Sequence, residues 1–260
     1  MTDASNTDKP NVLLVFSDQQ RASAMGCYYG DEDLQTPYFD ACAGEGMRMD
    51  SAISNTPVCT PFRAMLLTGK YGHHTGAPTN GLDPDLSPHP TMSKSFQSAG
   101  YRCGYIGKWH LGEFRLPSGH PRRLGFDDLW FVSSSDVHNI HKWSYVTDDK
   151  EEIHGEGLFR PQIETDKAIE FISEQDGGKP WFLTMSWSPP HSAGRRDTPE
   201  SYLEPYLDRE LKQHPNTSKI PVGSALREQV DTEYAHYYGL TAGIDIQFGR
   251  LMAALEETGQ

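Results

Sequence analysis

The stretch GYRCGYIGKWH, residues 100–110, shows how this chain is built. A helix is predicted before it, over residues 92–99, and a glycine turn then leads into an apolar strand over residues 101–106. Lys108 and His110 follow the strand directly, so polar side chains stand at its carboxyl end. A helix that leads into an apolar strand is the repeating unit of an α/β protein.

Two other segments have the same plan. Residues 11–17, NVLLVFS, are a short apolar run typical of a strand buried on both faces, and Asp18 follows it. Residues 161–175 carry apolar side chains at helical spacing, and residues 181–187 form a third apolar strand that ends shortly before His191. Each strand therefore delivers a polar residue just beyond its carboxyl end.

These strand ends predict both a fold and a site. Helices that alternate with apolar strands indicate an α/β fold with a mostly parallel central sheet flanked by helices. Open α/β sheets bind ligands at the carboxyl edge of their strands. We therefore expect Asp18, Lys108 and His191 to converge there, although each one alone could be an ordinary loop or surface residue.

The remaining segments complete the predicted organisation. Residues 1–10 are polar and are expected to be a disordered tail, and residues 11–260 form one α/β unit. Residues 112–160 have weak periodicity and are predicted to be an irregular insertion that contacts substrate. A last helix is predicted over residues 231–256, with Gly259 ending it.

Composition excludes several classes of protein. The formal net charge of −13 argues against a nucleic-acid partner. No apolar segment reaches the length of a membrane span, and the first ten residues lack the apolar core of a signal peptide, so a cytoplasmic protein is expected. The four cysteines are too few for a disulfide scaffold and have no zinc-site spacing; they are Cys27, Cys42, Cys59 and Cys103.

The sequence CTPFR, residues 59–63, is the strongest candidate for chemistry. Pro61 suits the first turn of a helix, which places Cys59 at the helix N-terminus, where free N–H groups and the helix dipole favour an anion. Arg63 follows one turn later on the same face. The alternative is a buried structural thiol, because unpaired cysteine is often buried.

Two motifs together resemble the active site of the type I sulfatases. Residues 59–63 match the pattern Cys-x-Pro-x-Arg and are followed by LLTGKY, residues 66–71, while residues 100–110 resemble the second sulfatase motif. The resemblance implies an alkaline-phosphatase-like fold. It also implies that a maturation enzyme converts Cys59 to formylglycine, whose hydrate attacks the sulfur of a small-molecule sulfate ester.

The resemblance implies roles for five candidate catalytic residues. Cys59 would be the nucleophile, and Arg63 and Lys108 would stabilise charge on the sulfuryl group. His110 would contact the formylglycine hydroxyl, and His191 would contact the oxygen of the leaving group.

It also implies a divalent cation, which the resemblance places on Asp18, Gln19 and the modified Cys59. Calcium fits an oxygen donor set best, and Mg²⁺ or Mn²⁺ would fit as well. Many family members have Asp-Asp where this chain has Asp18-Gln19.

The chain departs from the family pattern at its end. Family members continue beyond a helix like that of residues 231–256 into a strand ending in Asp-Asn or Asp-His, which completes the metal site. We therefore expect a fold that is incomplete at its C-terminal end, weak cation binding and a tendency to self-associate.

Two further readings stay open at this point. A phosphodiesterase or phosphonate monoester hydrolase would share the cysteine motif, and the pair Asp18-Gln19 suits it. A non-catalytic protein could keep the fold and bind only an anion or a partner chain. A panel of sulfate and phosphate esters separates the first two enzyme classes, and metal titration tests the third reading.

Overall fold

A computed structural model gives the structure of this chain. It describes residues 9–29, 33–133, 140, 143–148, 150–154, 157–191, 196–211 and 217–260. Of the tail predicted to be disordered, residues 1–10, the first eight lie outside this part.

One mixed sheet forms the centre of the described chain. Its strands are β1 (Val12–Asp18), β2 (Arg102–Lys108), β3 (Leu129–Ser133), β4 (Trp143–Thr147), β5 (Lys150–His154) and β6 (Trp181–Pro190). Within the described residues the strand order is β1-β6-β2-β3-β4-β5. The neighbouring strands β1, β6, β2 and β3 run parallel, and β4 and β5 form an antiparallel hairpin beside β3.

Helices cover both faces of the sheet. They are α1 (Gly26–Tyr29), α2 (Pro37–Glu45), α3 (Cys59–Thr68), α4 (Gly72–Thr75), α5 (Met92–Ser98), α6 (Arg160–Ser173), α7 (Glu200–Leu203) and α8 (Ala225–Thr258). Together with the sheet they confirm the predicted α/β fold with a mostly parallel sheet flanked by helices. None of the helices in the described ranges is apolar over a length that would cross a membrane.

Alternate residues of each central strand pack into different layers. Tyr105 of β2 and Phe182 of β6 lie in a core that includes side chains of α3. Their neighbours Ile106 and Leu183 lie in a second core with side chains of α6 and α8. Because successive strand residues point to opposite faces, a strand covered on both sides is buried throughout, as β6 is along its whole length.

Three segments differ from the sequence-based expectations. β1 is only partly buried, because it lies at the edge of the described sheet and not inside it. The segment 112–160, predicted to be irregular, contains β3, β4 and β5, which are too short to show a clear period. Helix α8 begins six residues before the predicted start, where the Ser224 hydroxyl oxygen accepts a hydrogen bond from the N–H of Arg227.

The parallel strands bring three chain segments to one edge of the sheet. Asp18 at the end of β1 is opposite Pro190 of β6, and Gly107 of β2 is opposite Ser186 of β6. Gly107 has φ +101°, a conformation that side chains of L-residues rarely adopt, and a Cβ there would overlap the carbonyl oxygen of Ser186. A glycine at this position therefore allows β2 and β6 to approach each other just before Lys108.

Substitution Gly107→Ala should destabilise the protein by about 2–5 kcal/mol, because it combines a strained backbone with a backbone clash. The matched control is Gly177→Ala. Gly177 also has positive φ, +75°, but its Cβ would meet open space, so its cost should be about 1 kcal/mol. Urea unfolding of the two variants measures the difference; equal losses would show that the approach of β2 and β6 does not require glycine.

Candidate active site

Helix α3 presents Cys59 at its first turn. The preceding residue, Val58, has no side-chain group that could cap the helix. Asn80 supplies the cap instead: its side-chain oxygen accepts a hydrogen bond from the N–H of Thr60 at 2.9 Å. The Thr60 hydroxyl donates to the carbonyl oxygen of His110 at 3.0 Å, which ties the helix to the loop after β2. The first turn of α3, which carries Cys59, is therefore fixed by Asn80 on one side and by the loop after β2 on the other.

Arg63 connects the helix to three strands. Its Nη1 atom donates to the carbonyl oxygen of Lys108 at 2.7 Å and to the hydroxyl of Ser186 at 2.5 Å. Its Nη2 atom lies 3.3 Å from a carboxylate oxygen of Asp18. The side chain is only 2% exposed, so these contacts replace water around the guanidinium. Arg63 thus fixes where the ends of β1, β2 and β6 lie relative to Cys59.

Asp18, Lys108 and Cys59 form a compact group at the sheet edge. The Lys108 ammonium lies 2.5 Å from a carboxylate oxygen of Asp18 and 3.6 Å from the sulfur of Cys59. The same carboxylate lies 3.4 Å from that sulfur. Lys108 is buried, and with Arg63 it gives the carboxylate two cationic partners. Because two positive charges face one negative charge, the group has a net positive charge that favours binding of a further anion.

The charge state of Asp18 follows from these neighbours. Burial alone would raise the pKa of its carboxyl group. The ammonium of Lys108 and the guanidinium of Arg63 oppose that effect and leave the pKa below its usual value. Asp18 is therefore a carboxylate at neutral pH.

Two histidines lie near this group. Burial, followed by the charges of Lys108 and Arg63, lowers the pKa of His110 to about 4. Burial and Lys108 also lower the pKa of His191, which follows the end of β6. The Nδ1 atoms of both rings are buried and have no hydrogen-bond partner among the described residues. Both rings are thus neutral near pH 7 and can exchange hydrogen bonds with a ligand.

A cavity of about 570 Å³ opens beside Cys59. This volume lies in the range of pockets that hold small organic ligands. Gln19, predicted as a metal ligand, is exposed and lines the cavity, and its carbonyl oxygen accepts a hydrogen bond from the hydroxyl of Tyr237 at 2.9 Å. The other lining residues are Ser17, Asp18, Gln20, Arg21, Ser54, Pro57, Val58, Phe62, Arg63, Asn80 and His191.

The donor atoms at this edge fit part of a cation site. Ligand-type atoms of Asp18, Cys59 and His191 lie within 4.8 Å of one another. The sequence predicted Asp18, Gln19 and Cys59 as ligands, so His191 joins the cluster and Gln19 lies beside it on the cavity wall. One carboxylate is a suitable ligand for a hard cation, but calcium takes six to eight oxygens. A cation at this cluster therefore needs further oxygen ligands.

Several residues of the site had no signal in the sequence. Asn80 lies in a polar turn, Thr79-Asn80-Gly81, with nothing to connect it to Cys59. Ser186 and Tyr105 lie within apolar strands, yet both hydroxyls meet the guanidinium of Arg63. Spacing along the chain could not find them, because their contacts depend on which strands become neighbours.

Comparison with known proteins points to one family. The family model described as Sulfatase matches residues 10–260. An ulvan-active sulfatase from Formosa agariphila is 34% identical over 255 residues, which cover 96% of this chain and 48% of that protein. An N-acetylglucosamine-6-O-sulfatase from Bacteroides thetaiotaomicron is 33% identical over 185 residues, which cover 71% of this chain and 31% of that sulfatase.

A solved structure gives the same result for the fold. A Bacteroides fragilis protein carrying the sulfatase name yidJ superimposes with a TM-score of 0.83 at 29% identity. The match covers 100% of this chain and 60% of that protein. This chain spans about half the length of the curated relatives that it matches over most of its residues.

Substitution Asp18→Asn should destabilise the protein, measured with EDTA present, by about 3 kcal/mol at pH 7, because it leaves Lys108 and Arg63 buried without a counter-charge. The difference in unfolding free energy between wild type and Asp18→Asn should shrink as the pH is lowered. The lowered pKa of Asp18 means that its contribution is present above about pH 4 and is lost as pH falls through that pKa.

The control for this prediction is Asp166→Asn. Asp166 pairs with Arg250 on the surface, where both side chains are well exposed, so its loss should cost less than about 1 kcal/mol. Chemical unfolding at several pH values measures both variants. A gap between wild type and Asp18→Asn that stays constant down to pH 2 would contradict the assigned ion pairs.

Proposed function

The chain belongs to the sulfatase family, and we propose that the protein hydrolyses sulfate monoesters with a nucleophile made from Cys59. It has the α/β, alkaline-phosphatase-like fold of that family. The observation that carries the proposal is the position of Cys59, at a helix N-terminus and within 3.6 Å of the Lys108 ammonium. A helix start beside buried cations is suited to hold an anionic ester group.

The charges of the site favour a sulfate group although the whole chain is acidic. Arg63 and Lys108 are buried beside the single carboxylate of Asp18, which leaves the group one positive charge in excess. Because buried charges act at short range in a low dielectric, this local excess outweighs the distant negative charges of the surface. The two cations would stabilise negative charge that develops on the sulfuryl oxygens.

The family converts its active-site cysteine to formylglycine and uses a divalent cation. In this chain Cys59 would carry the modification, and its hydrated aldehyde would supply an oxygen nucleophile where the sulfur now lies. Asp18, with Gln19 on the same cavity wall, would hold the cation, which would supply further positive charge for the sulfuryl oxygens. We propose calcium on the grounds of the oxygen donors alone.

The two histidines suit proton movements on either side of the ester. His110 belongs to the loop that is hydrogen-bonded to the first turn of α3, so it would act on the nucleophile side. His191 lines the cavity from the end of β6, so it would contact the leaving oxygen. Both rings are neutral near pH 7 and can donate or accept a hydrogen bond.

Hydrolysis of phosphonate monoesters or phosphate diesters is the second candidate. The pair Asp18-Gln19, which has one carboxylate fewer than an Asp-Asp pair, is the feature of this chain that suits it. The matched relatives named as sulfatases favour the sulfate ester.

Production of the chain with a maturation enzyme should convert Cys59 to formylglycine, detected by mass spectrometry as loss of sulfur and gain of a hydrazide-reactive aldehyde. The exposed Cys42 is the internal control and should stay a thiol. The aldehyde-bearing protein should hydrolyse sulfate monoesters faster than phosphonate monoesters, and Cys59→Ala should abolish turnover. A preference for phosphonates would replace the first candidate by the second, and an unmodified Cys59 would exclude the proposed nucleophile.

Substitution His191→Ala should slow hydrolysis of alkyl sulfates by about 10²-fold or more and of 4-nitrophenyl sulfate much less, because nitrophenolate leaves without a proton whereas an alkoxide does not. His110→Ala is the matched control and should slow both substrates equally. Turnover numbers of both variants on both esters test this. Equal losses for His191→Ala on the two esters would remove its assignment to the leaving group.

A further inference from the structure

The wall of the cavity next to β1 carries a third cation, Arg21. It lines the same cavity of about 570 Å³ as Cys59, Asp18 and His191, three residues beyond the end of β1. A sulfuryl group fills only part of such a volume, so the organic part of an ester occupies the remainder. Arg63 and Lys108 belong to the group around Cys59, whereas Arg21 lies outside that group on the same cavity and is available to the organic part.

Two tyrosines of α8 fix the position of Arg21. The centre of its guanidinium lies 5.1 Å from the ring centroid of Tyr234 and 4.8 Å from that of Tyr237. Its backbone N–H donates to the Tyr237 hydroxyl at 3.0 Å, and that hydroxyl donates to the carbonyl oxygen of Gln19. A guanidinium held against two aromatic faces loses little conformational freedom when it binds a ligand.

The charge of Arg21 is not neutralised by a carboxylate. Arg63 and Lys108 both pair with Asp18, whereas Arg21 forms no ion pair within the part of the chain that the structure describes. Its Nε atom is buried and finds no acceptor there, and the side-chain nitrogen of Gln20, on the same wall, also finds none. This wall of the cavity thus carries a positive charge that no carboxylate of the described residues neutralises.

We propose that Arg21 binds a second acidic group of the substrate, a carboxylate or a further sulfate, on the sugar that carries the ester. The proposal rests on the sulfatase function proposed above and specifies its substrate class as polyanionic sugar sulfates. Arg21 presents several N–H groups in one plane, which match the two oxygens of a carboxylate or sulfate. An ester without a second acidic group would leave the charge of Arg21 unpaired, and the site would then bind it less well.

The test compares substrates that differ by one charge. A disaccharide that carries a uronic acid and two sulfates is measured beside its carboxyl-reduced form and its singly sulfated N-acetyl form. The wild-type aldehyde-bearing protein should prefer the disaccharide with both acidic groups over at least one of the two less charged forms. The form that is disfavoured identifies the acidic group that Arg21 binds. In Arg21→Gln the KM for the preferred substrate should rise about tenfold to a hundredfold, while the less charged form is little affected.

Two variants control for charge and geometry. Arg250→Gln removes the same charge from the exposed ion pair with Asp166 and should keep the preference. Arg21→Lys keeps the charge but loses the planar donors, so it should retain part of the preference. Equal losses on all three substrates in Arg21→Gln, or no loss on any of them, would overturn the proposal and leave Arg21 a structural partner of Tyr234 and Tyr237.

A binding measurement separates this inference from the proposed reaction. Calorimetry of Cys59→Ala with the same three sugars needs no turnover. The aldehyde-bearing protein could hydrolyse no sulfate ester while Cys59→Ala still binds the polyanionic sugar more tightly, and Arg21→Gln in the Cys59→Ala background could abolish that preference. In that case the proposed hydrolysis is wrong and the anion site at Arg21 is supported. Binding that ignores the second acidic group excludes the site whatever the reaction.

Discussion

The carboxylate of Asp18, shared between the buried cations of Lys108 and Arg63, is the interaction on which the sheet edge depends. A cation without a partner is costly to bury, so Lys108 and Arg63 can lie inside the protein only when β1 brings Asp18 to them. Arg63 then extends the constraint to β6 through Ser186. The position of Cys59 is a consequence, since Arg63 and Cys59 share the first turns of one helix.

The same interaction supports the proposal that an acidic protein binds an anionic ester. Long-range attraction is weak here, because the formal net charge is −13 and salt screens exposed charges beyond about 8–10 Å. Recognition must therefore come from groups that touch the ligand. Cations that are already desolvated, together with two uncharged imidazole rings, provide such groups without reorganising when the ligand arrives.

Much of the framework of the site could be predicted from sequence, because apolar runs and the residues after them reveal strand ends. Asp18 and Lys108 were expected at one edge, and they lie in direct contact. The hairpin of β4 and β5 escaped prediction, since short strands inside an aromatic-rich segment show no period. The contacts of Arg21, Asn80 and Ser186 escaped for a different reason: they join residues distant in sequence, and only the packed structure brings these together.

The order of strands also determines how early the central sheet can assemble while the protein is being synthesised. β6 lies between β1 and β2, so among the described strands β1 has no partner, and β2 has only β3, until residues 181–190 have been made. About 130 residues separate Cys59 from the end of β6, and at roughly 5–20 residues per second the ribosome needs roughly 6 to 26 s to add them. During that interval the segment around Cys59 is on a growing chain whose sheet has not closed. The maturation enzyme proposed above would have that time in which to reach Cys59, before β6 supplies the Ser186 contact of Arg63.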